Sequence, residues 1–310
     1  MKHILLSSLL CLVLFTSCKN DKKQSETADI ESNTPEKPVV YVTNYPLYYF
    51  TNRIAGKTID LHFPASQKTF PDYWKPVADS IAAMQNADLI IINGASYEKW
   101  LMNVSIPEDK IINTSESFQD KLLASGHVFT HSHGGEGAHE HPEMASYTWQ
   151  DLSLAIKQAE AIKNALMTQS EKDKTTFESN FENLKAELEQ LHQVFLSTVA
   201  SQPDLEIAFS HPVYQYFEAA YKIKGTSLHW EPSDNIAGDK LHEIEALQKQ
   251  KDIKSIIWEN TPLEASLSNL KNIGIQSIVI PPGGGKPVQG DFISQQKSNL
   301  EALKSVYITP

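Results

Sequence analysis

Residues 172–200, KDKTTFESNFENLKAELEQLHQVFLSTVA, place Phe177, Phe181, Leu184, Leu188, Leu191 and Phe195 at alternating steps of four and three. That spacing puts all six on one face of a single long helix. On either side the texture changes to short β-branched runs separated by amphipathic stretches. Val39–Thr43, Thr58–Phe63, Asp88–Ile92 and Lys110–Asn113 read as buried strands before the helix. Glu206–Ser210, Gly225–His229, Lys254–Trp258 and Gln276–Ile280 repeat the rhythm after it. Strands alternating with helices predict an α/β protein: two (β/α)4-type lobes with mostly parallel sheets, joined by a long rigid backbone helix. The helix then acts as a strut across both lobes and limits how far they can hinge.

The chain of 310 residues has 41% hydrophobic side chains, enough for buried cores in both lobes. Its net charge of -11, with no basic stripe, argues against nucleic acid as a partner. Met1–Lys2–His3, the apolar run Ile4–Phe15 and the small residues before Cys18 form an export signal too short to span a bilayer. LFTSC resembles a bacterial lipobox, which predicts cleavage before Cys18 and a lipid on that cysteine; a plain secretory signal with an incidental cysteine is the other reading. Lys19–Pro38 is almost devoid of apolar residues and reads as a tether. Gly126–Met144 holds His127, His131, His133, His139 and His141, five of the eleven histidines, and its glycines predict a mobile loop. The expected organisation is a signal over 1–17, a lipidated cysteine and tether over 18–38, and an N-terminal lobe over 39–125. A His-rich loop over 126–146, connecting helices with the strut over 147–200 and a C-terminal lobe over 201–310 complete it.

Ligands of parallel α/β sheets bind beyond the carboxyl ends of the strands. The residues that follow the strands here are Asp72, Tyr73 and Trp74, then His211, then Glu259, then the run Pro281–Gly285. A histidine and two carboxylates at such positions could close on one divalent cation. Each also has a plainer role, the His in packing and the carboxylates as helix caps, and Trp74, Trp149 and Trp230 suit core or interface positions.

Four segments occur in an order that identifies a resemblance: VVYVTNYPLYYFTNRIAG (Val39–Gly56), ADLIIINGASYEKWL (Ala87–Leu101), SHPVYQYF (Ser210–Phe217) and WEPS (Trp230–Ser233). They resemble the cluster A-I solute-binding proteins of bacterial zinc and manganese ABC importers, over a region from about Val39 to the C-terminus. The resemblance implies a periplasmic metal-binding protein type of fold, often lipid-anchored, commonly with a His-rich acidic loop, and a four-ligand metal site. Carried over position by position, PDYWKP (Pro71–Pro76) puts Asp72 where the family has its first His, and YTWQD (Tyr147–Asp151) puts Tyr147 where it has its second. His211 matches the third ligand. Pro281 stands where the family typically has an Asp, and Glu259 matches an acidic position near the cleft. The donors carried over are therefore Asp72, Tyr147, His211 and Glu259, an oxygen-rich and harder set than zinc favours.

The function expected is a lipoprotein that captures a divalent transition metal, zinc first, manganese or iron otherwise, in the cleft between the lobes. It would act on the outer side of a bacterial membrane, periplasmic or at the cell surface, as a monomer. Its partners would be an ABC permease with its ATPase subunit, and the membrane through the lipid on Cys18. The His-rich loop would serve as an accessory metal collector. A divergent member carrying a non-metal solute or a metal complex is the alternative. A metal-dependent hydrolase stands further off, because the chain has no H-E-x-x-H, G-x-S-x-G or P-loop motif; the expectation is a binding protein, not an enzyme.

Overall fold

The computed structural model describes residues 37–66, 70–133 and 136–308, the side chains of 126–143 excepted. The signal, Cys18 and nearly all of the tether lie outside the described residues. The N-terminal lobe is a four-stranded sheet of β1 (Val39–Val42), β2 (Asp60–His62), β3 (Leu89–Ile92) and β4 (Ile111–Asn113), in the order β2-β1-β3-β4. The C-terminal lobe repeats the plan with β7 (Glu206–Phe209), β8 (Lys224–Ser227), β9 (Ser255–Trp258) and β10 (Gln276–Val279), in the order β10-β9-β7-β8. Every pairing within these two sheets is parallel. The inner strands β3 and β9, LIII and SIIW, are buried at all four positions, as strands covered on both faces require.

Helix α1 (Tyr45–Ala55) starts directly after β1, where the Asn44 side chain accepts the Leu47 amide hydrogen bond at 2.9 Å. Helices α2 (Ala78–Asn86), α3 (Leu152–Gln169), α5 (Gln215–Tyr221), α6 (Asp239–Lys251) and α7 (Glu264–Asn272) join the remaining elements. The long helix α4 (Lys174–Ala200) buries Phe177, Phe181, Leu184, Leu188, Leu191 and Phe195, the six residues picked out by spacing. It packs on α1, on α3 and on the last helix, α8 (Phe292–Tyr307). One apolar cluster runs from Val40 and Phe50 through these residues to Phe209 and Leu303, so both lobes share a core along the strut. Each such side chain contributes about 1.5–3 kcal/mol when fully buried.

One expectation of the sequence needs correcting. The His-rich segment, read as a loop, forms an antiparallel hairpin of β5 (Ala124–His133) and β6 (Glu136–Met144), with His131 opposite His139 and Phe129 opposite His141. His127, Phe129, His131 and His133 recur every second residue and Gly134–Gly135 interrupts them, which is a hairpin pattern written in polar residues.

Candidate functional site

Asp72 sits in one turn of 3-10 helix, Pro71–Tyr73, closed by the Trp74 amide donating to the Pro71 carbonyl at 3.0 Å. Trp74 packs edge-on against Trp100, with ring centroids 5.6 Å apart, and Tyr73 is left 77% exposed. Asp72 itself faces inward. Its Oδ2 accepts a hydrogen bond from the Tyr147 hydroxyl at 3.2 Å, while Oδ1 is enclosed without a hydrogen-bond partner among the described residues. Burial pushes the Asp72 carboxyl up from the ordinary carboxylate range, against hydrogen bonds that include Tyr147 and the pull of Lys99.

Tyr147 is buried between Trp149 and Tyr97, at centroid distances of 5.2 and 6.3 Å. Burial first, then the negative charge of Asp72, raises its phenol well above 10. The metal-free side chain is therefore a proton donor, and a metal would have to displace that proton to gain a phenolate oxygen. The segment is pinned at both ends. Asp151 caps α3 by accepting from the Ser153 amide at 2.8 Å, and Trp149 Nε1 donates to the Pro282 carbonyl at 2.8 Å.

Beneath Tyr147 lies a buried polar clasp that sequence reading missed. Glu98 accepts from Thr43 Oγ1 at 2.5 Å, the Asn93 amide at 2.8 Å and the Gly94 amide at 3.0 Å, tying the ends of β1 and β3 together. Asn93 Nδ2 donates to the Ser146 carbonyl at 2.9 Å, and Asn93 Oδ1 accepts from Thr148 Oγ1 at 3.1 Å and Gln158 Nε2 at 2.9 Å. Ser146 and Thr148 flank Tyr147, so the clasp holds that residue from both sides. Gly94 is required here: its φ is +75°, and a Cβ would stand 2.1 Å from Asn113 Oδ1. Burial pushes the Glu98 carboxyl up to about 7 despite its three donors.

The other half of the site comes from the C-terminal lobe. His211 follows β7 and Glu259 follows β9, held by the Ser210 amide donating to the Ile257 carbonyl at 2.9 Å. His211 Nδ1 lies 3.7 Å from Glu231 Oε1, and its ring stands edge-on to His229 at 6.2 Å. Glu259 is only 7% exposed. Burial, then the charges of Glu231 and Asp72, push it up to about 7. Asp72 and Glu259 thus feel each other from opposite lobes. Glu231, which sequence reasoning missed, lies in the loop after β8 within the segment WEPS.

The structure bonds Asp72 to Tyr147 and sets His211 3.7 Å from Glu231, with Glu259 in electrostatic reach of both carboxylates. Among the described residues, no three His, Cys, Asp or Glu converge as a ready-made ion site. Pro281 and Pro282 bring no side-chain donor, and the loop they begin walls a cavity of 380 Å³ that Glu259 also lines. The backbones of His127, His131, His133, His139 and His141 lie on β5 and β6, and their side chains lie outside the description.

The family model of the periplasmic zinc-uptake complex component A matches residues 40–306. The zinc-binding lipoprotein AdcA of Streptococcus pneumoniae is 27% identical over 316 residues, covering 98% of this chain and 61% of AdcA, so the chain spans about three fifths of that relative. The high-affinity zinc uptake system protein ZnuA of Bacillus subtilis is 27% identical over 324 residues, covering 95% of this chain and 94% of its own. The crystal structure of the metal-dependent lipoprotein YcdH from Bacillus subtilis superposes with a TM-score of 0.76 at 23% identity, over 87% of this chain and 98% of that one. At that identity the likeness speaks for the fold.

Proposed function

This chain belongs to the family of periplasmic zinc-uptake complex components A, and on that premise we propose that it captures a divalent transition metal between its lobes for delivery to an ABC permease and its ATPase. Zinc is the first candidate cargo. The observation that carries the reading is the state of Asp72. One carboxylate oxygen is engaged by Tyr147, the other is enclosed without a hydrogen-bond partner among the described residues, and the charge of Asp72 reaches Glu259 from the opposite lobe. A cation is the ligand that satisfies all three.

Asp72, Tyr147, His211 and Glu259 serve as donors in this reading, with Glu231 beside His211 as a fifth. Three or four oxygens to one imidazole is a harder set than zinc prefers, which favours manganese or iron as the second reading. No bond in the cargo is broken; capture rests on ligand number and on the exclusion of water. Release requires a partner that binds the open state better than the closed one. Signal removal over 1–17, a lipid on Cys18 and a tether to residue 38 would hold the monomer at the outer side of the membrane. The hairpin histidines would gather metal without fixed geometry.

Calorimetry of the chain from Cys18 onward against Zn(II), Mn(II) and Fe(III) tests this. Tight one-to-one binding that survives deletion of 126–144 and falls about 100-fold or more in Asp72→Ala and His211→Ala is the expected outcome. Binding confined to the hairpin-bearing form would overturn the reading.

A further inference from the structure

The segments that follow β2 and β3 enclose a groove of 490 Å³ that shares no lining residue with the cavity beside Glu259. Trp74, Ile81, Trp100 and Val104 give it apolar walls. Six large hydrophobic side chains stand exposed among the described residues, and three of them belong to this groove or its rim. Tyr73 lines it, Val77, 65% exposed, follows Pro76 of the lining, and Met102, 68% exposed, lies between Trp100 and Asn103. Apolar surface gathered around one concavity marks a place where a partner seats. The lining also carries two cations, Lys75 and Lys99, against one carboxylate, Asp72, in a chain whose net charge is -11.

We propose, on the premise of the metal-capture reading above, that this groove docks the permease through a loop presenting an aromatic or long aliphatic side chain beside an acidic one. The apolar side chain seats on Trp74 and Trp100, and the acidic one meets Lys75. Shape and charge select this occupant. A second copy of so acidic a chain brings net repulsion. A flat bilayer cannot fill a groove, and one surplus cation is far from the cluster of about four or more that holds a protein to anionic lipid. A protruding acidic loop satisfies both the walls and the surplus charge. The groove's place adds a consequence: Asp72 lines it, so its occupant touches the turn that carries a proposed metal donor. Docking and metal binding are then coupled, and by linkage each changes the other's affinity by the same factor.

Biolayer interferometry of the full chain, with and without zinc, against the zinc-type ABC permease and ATPase of its own organism in lipid nanodiscs tests this. The parent chain should dock, and Lys75→Gln and Met102→Glu should each weaken docking about tenfold or more. Both side chains are exposed, so both variants should match the parent in circular dichroism and in zinc affinity by calorimetry. Docking of the parent should weaken as salt rises from about 0.05 M to about 0.5 M, and less steeply in Lys75→Gln. No docking by the parent, or equal docking by parent and variants, overturns the proposal. Equal binding to empty anionic nanodiscs assigns the groove to lipid and overturns it. Dimerisation in sedimentation that Met102→Glu abolishes assigns it to a second copy and overturns it too. Variants that lose zinc along with docking make the groove part of the metal site, against the proposal. The expected docking pattern in a parent chain that binds no metal in calorimetry brings down the capture reading and leaves the docking surface standing.

Discussion

The two halves of the site are built on opposite principles. The half carrying Asp72 and Tyr147 is closed on itself: a 3.2 Å hydrogen bond, three aromatic rings and the Glu98 clasp fix it before any ligand arrives. The half carrying His211, Glu231 and Glu259 is loaded rather than braced. Glu259 is held up to about 7 by burial and by its neighbours' charge, and Glu231 lies 3.7 Å from His211 Nδ1, outside direct hydrogen-bond range. Geometry is settled in the first half and electrostatic repulsion is stored in the second. A cation relieves the repulsion without having to build the geometry, which lowers the reorganisation that binding demands.

The sharpest way to break that contrast is Glu259→Gln. Removing a charge that the metal-free fold resists should weaken metal binding about 100-fold or more yet raise the stability of the metal-free chain at pH 8. Calorimetry and urea unfolding measure the two effects. If the metal-free chain loses stability instead, Glu259 is a structural carboxylate and the loaded half does not exist.

Glu98→Gln probes the braced half. An amide cannot accept from Thr43, Asn93 and Gly94 as the carboxylate does, and a mismatched buried donor costs about 1–3 kcal/mol. The pH dependence carries a sign. The folded carboxyl titrates at about 7, above its ordinary 4.5, so the native state holds the proton more tightly. Its contribution to stability is greatest below about 4.5, declines as pH rises to about 7, and is level beyond. Urea midpoints measured from pH 5 to pH 8 should therefore show a shallower decline in Glu98→Gln than in the parent chain.

Tyr147→Phe comes next in size. It removes a hydrogen bond to a carboxylate, worth about 1.5–3 kcal/mol at most where both groups are dry, and leaves the ring packed on Trp149 and Tyr97. Asp72 should then titrate higher, because the Tyr147 hydrogen bond is one of the forces holding it down. Metal affinity and metal-free stability should fall together, in contrast to the split expected for Glu259→Gln; carboxyl NMR titration with urea unfolding checks it.

What the sequence disclosed follows the same divide. The inner strands β3 and β9 were legible as short apolar runs buried at all four positions, their partners by the strand–helix rhythm around them, and α4 because six apolar residues keep step over five turns. The β5–β6 hairpin was not, since its period of two is carried by histidines that read as polar sequence. Asp72 and Tyr147 are 75 positions apart, and only the family pattern paired them. Glu98 lies within the quoted segment Ala87–Leu101, yet nothing in it marks the residue as buried, because a carboxylate held by backbone amides looks like any surface glutamate until the left-handed turn at Gly94, Ala95 and Ser96 folds over it. Glu231 does carry a signal, since it stands just beyond the carboxyl end of the Gly225–His229 strand, where ligands of parallel sheets bind.

The smallest expected effect lies away from both halves, on the strut that spaces them. Arg53 on α1 pairs with Glu187 on α4 through contacts of 2.5 and 3.3 Å, with both side chains partly exposed at 29% and 44%. Solvent screens such a pair, so Arg53→Met should cost about 1 kcal/mol or less in dilute buffer. The cost should shrink further in 1 M salt. The stiffness of α4 comes instead from its apolar face, where Leu184→Ala would cost about 2–5 kcal/mol. If thermal unfolding instead found Arg53→Met as damaging as Leu184→Ala, the strut would be held by charge rather than by its core. The distance between the braced and the loaded half would then respond to ionic strength, and metal affinity should follow salt in the same way.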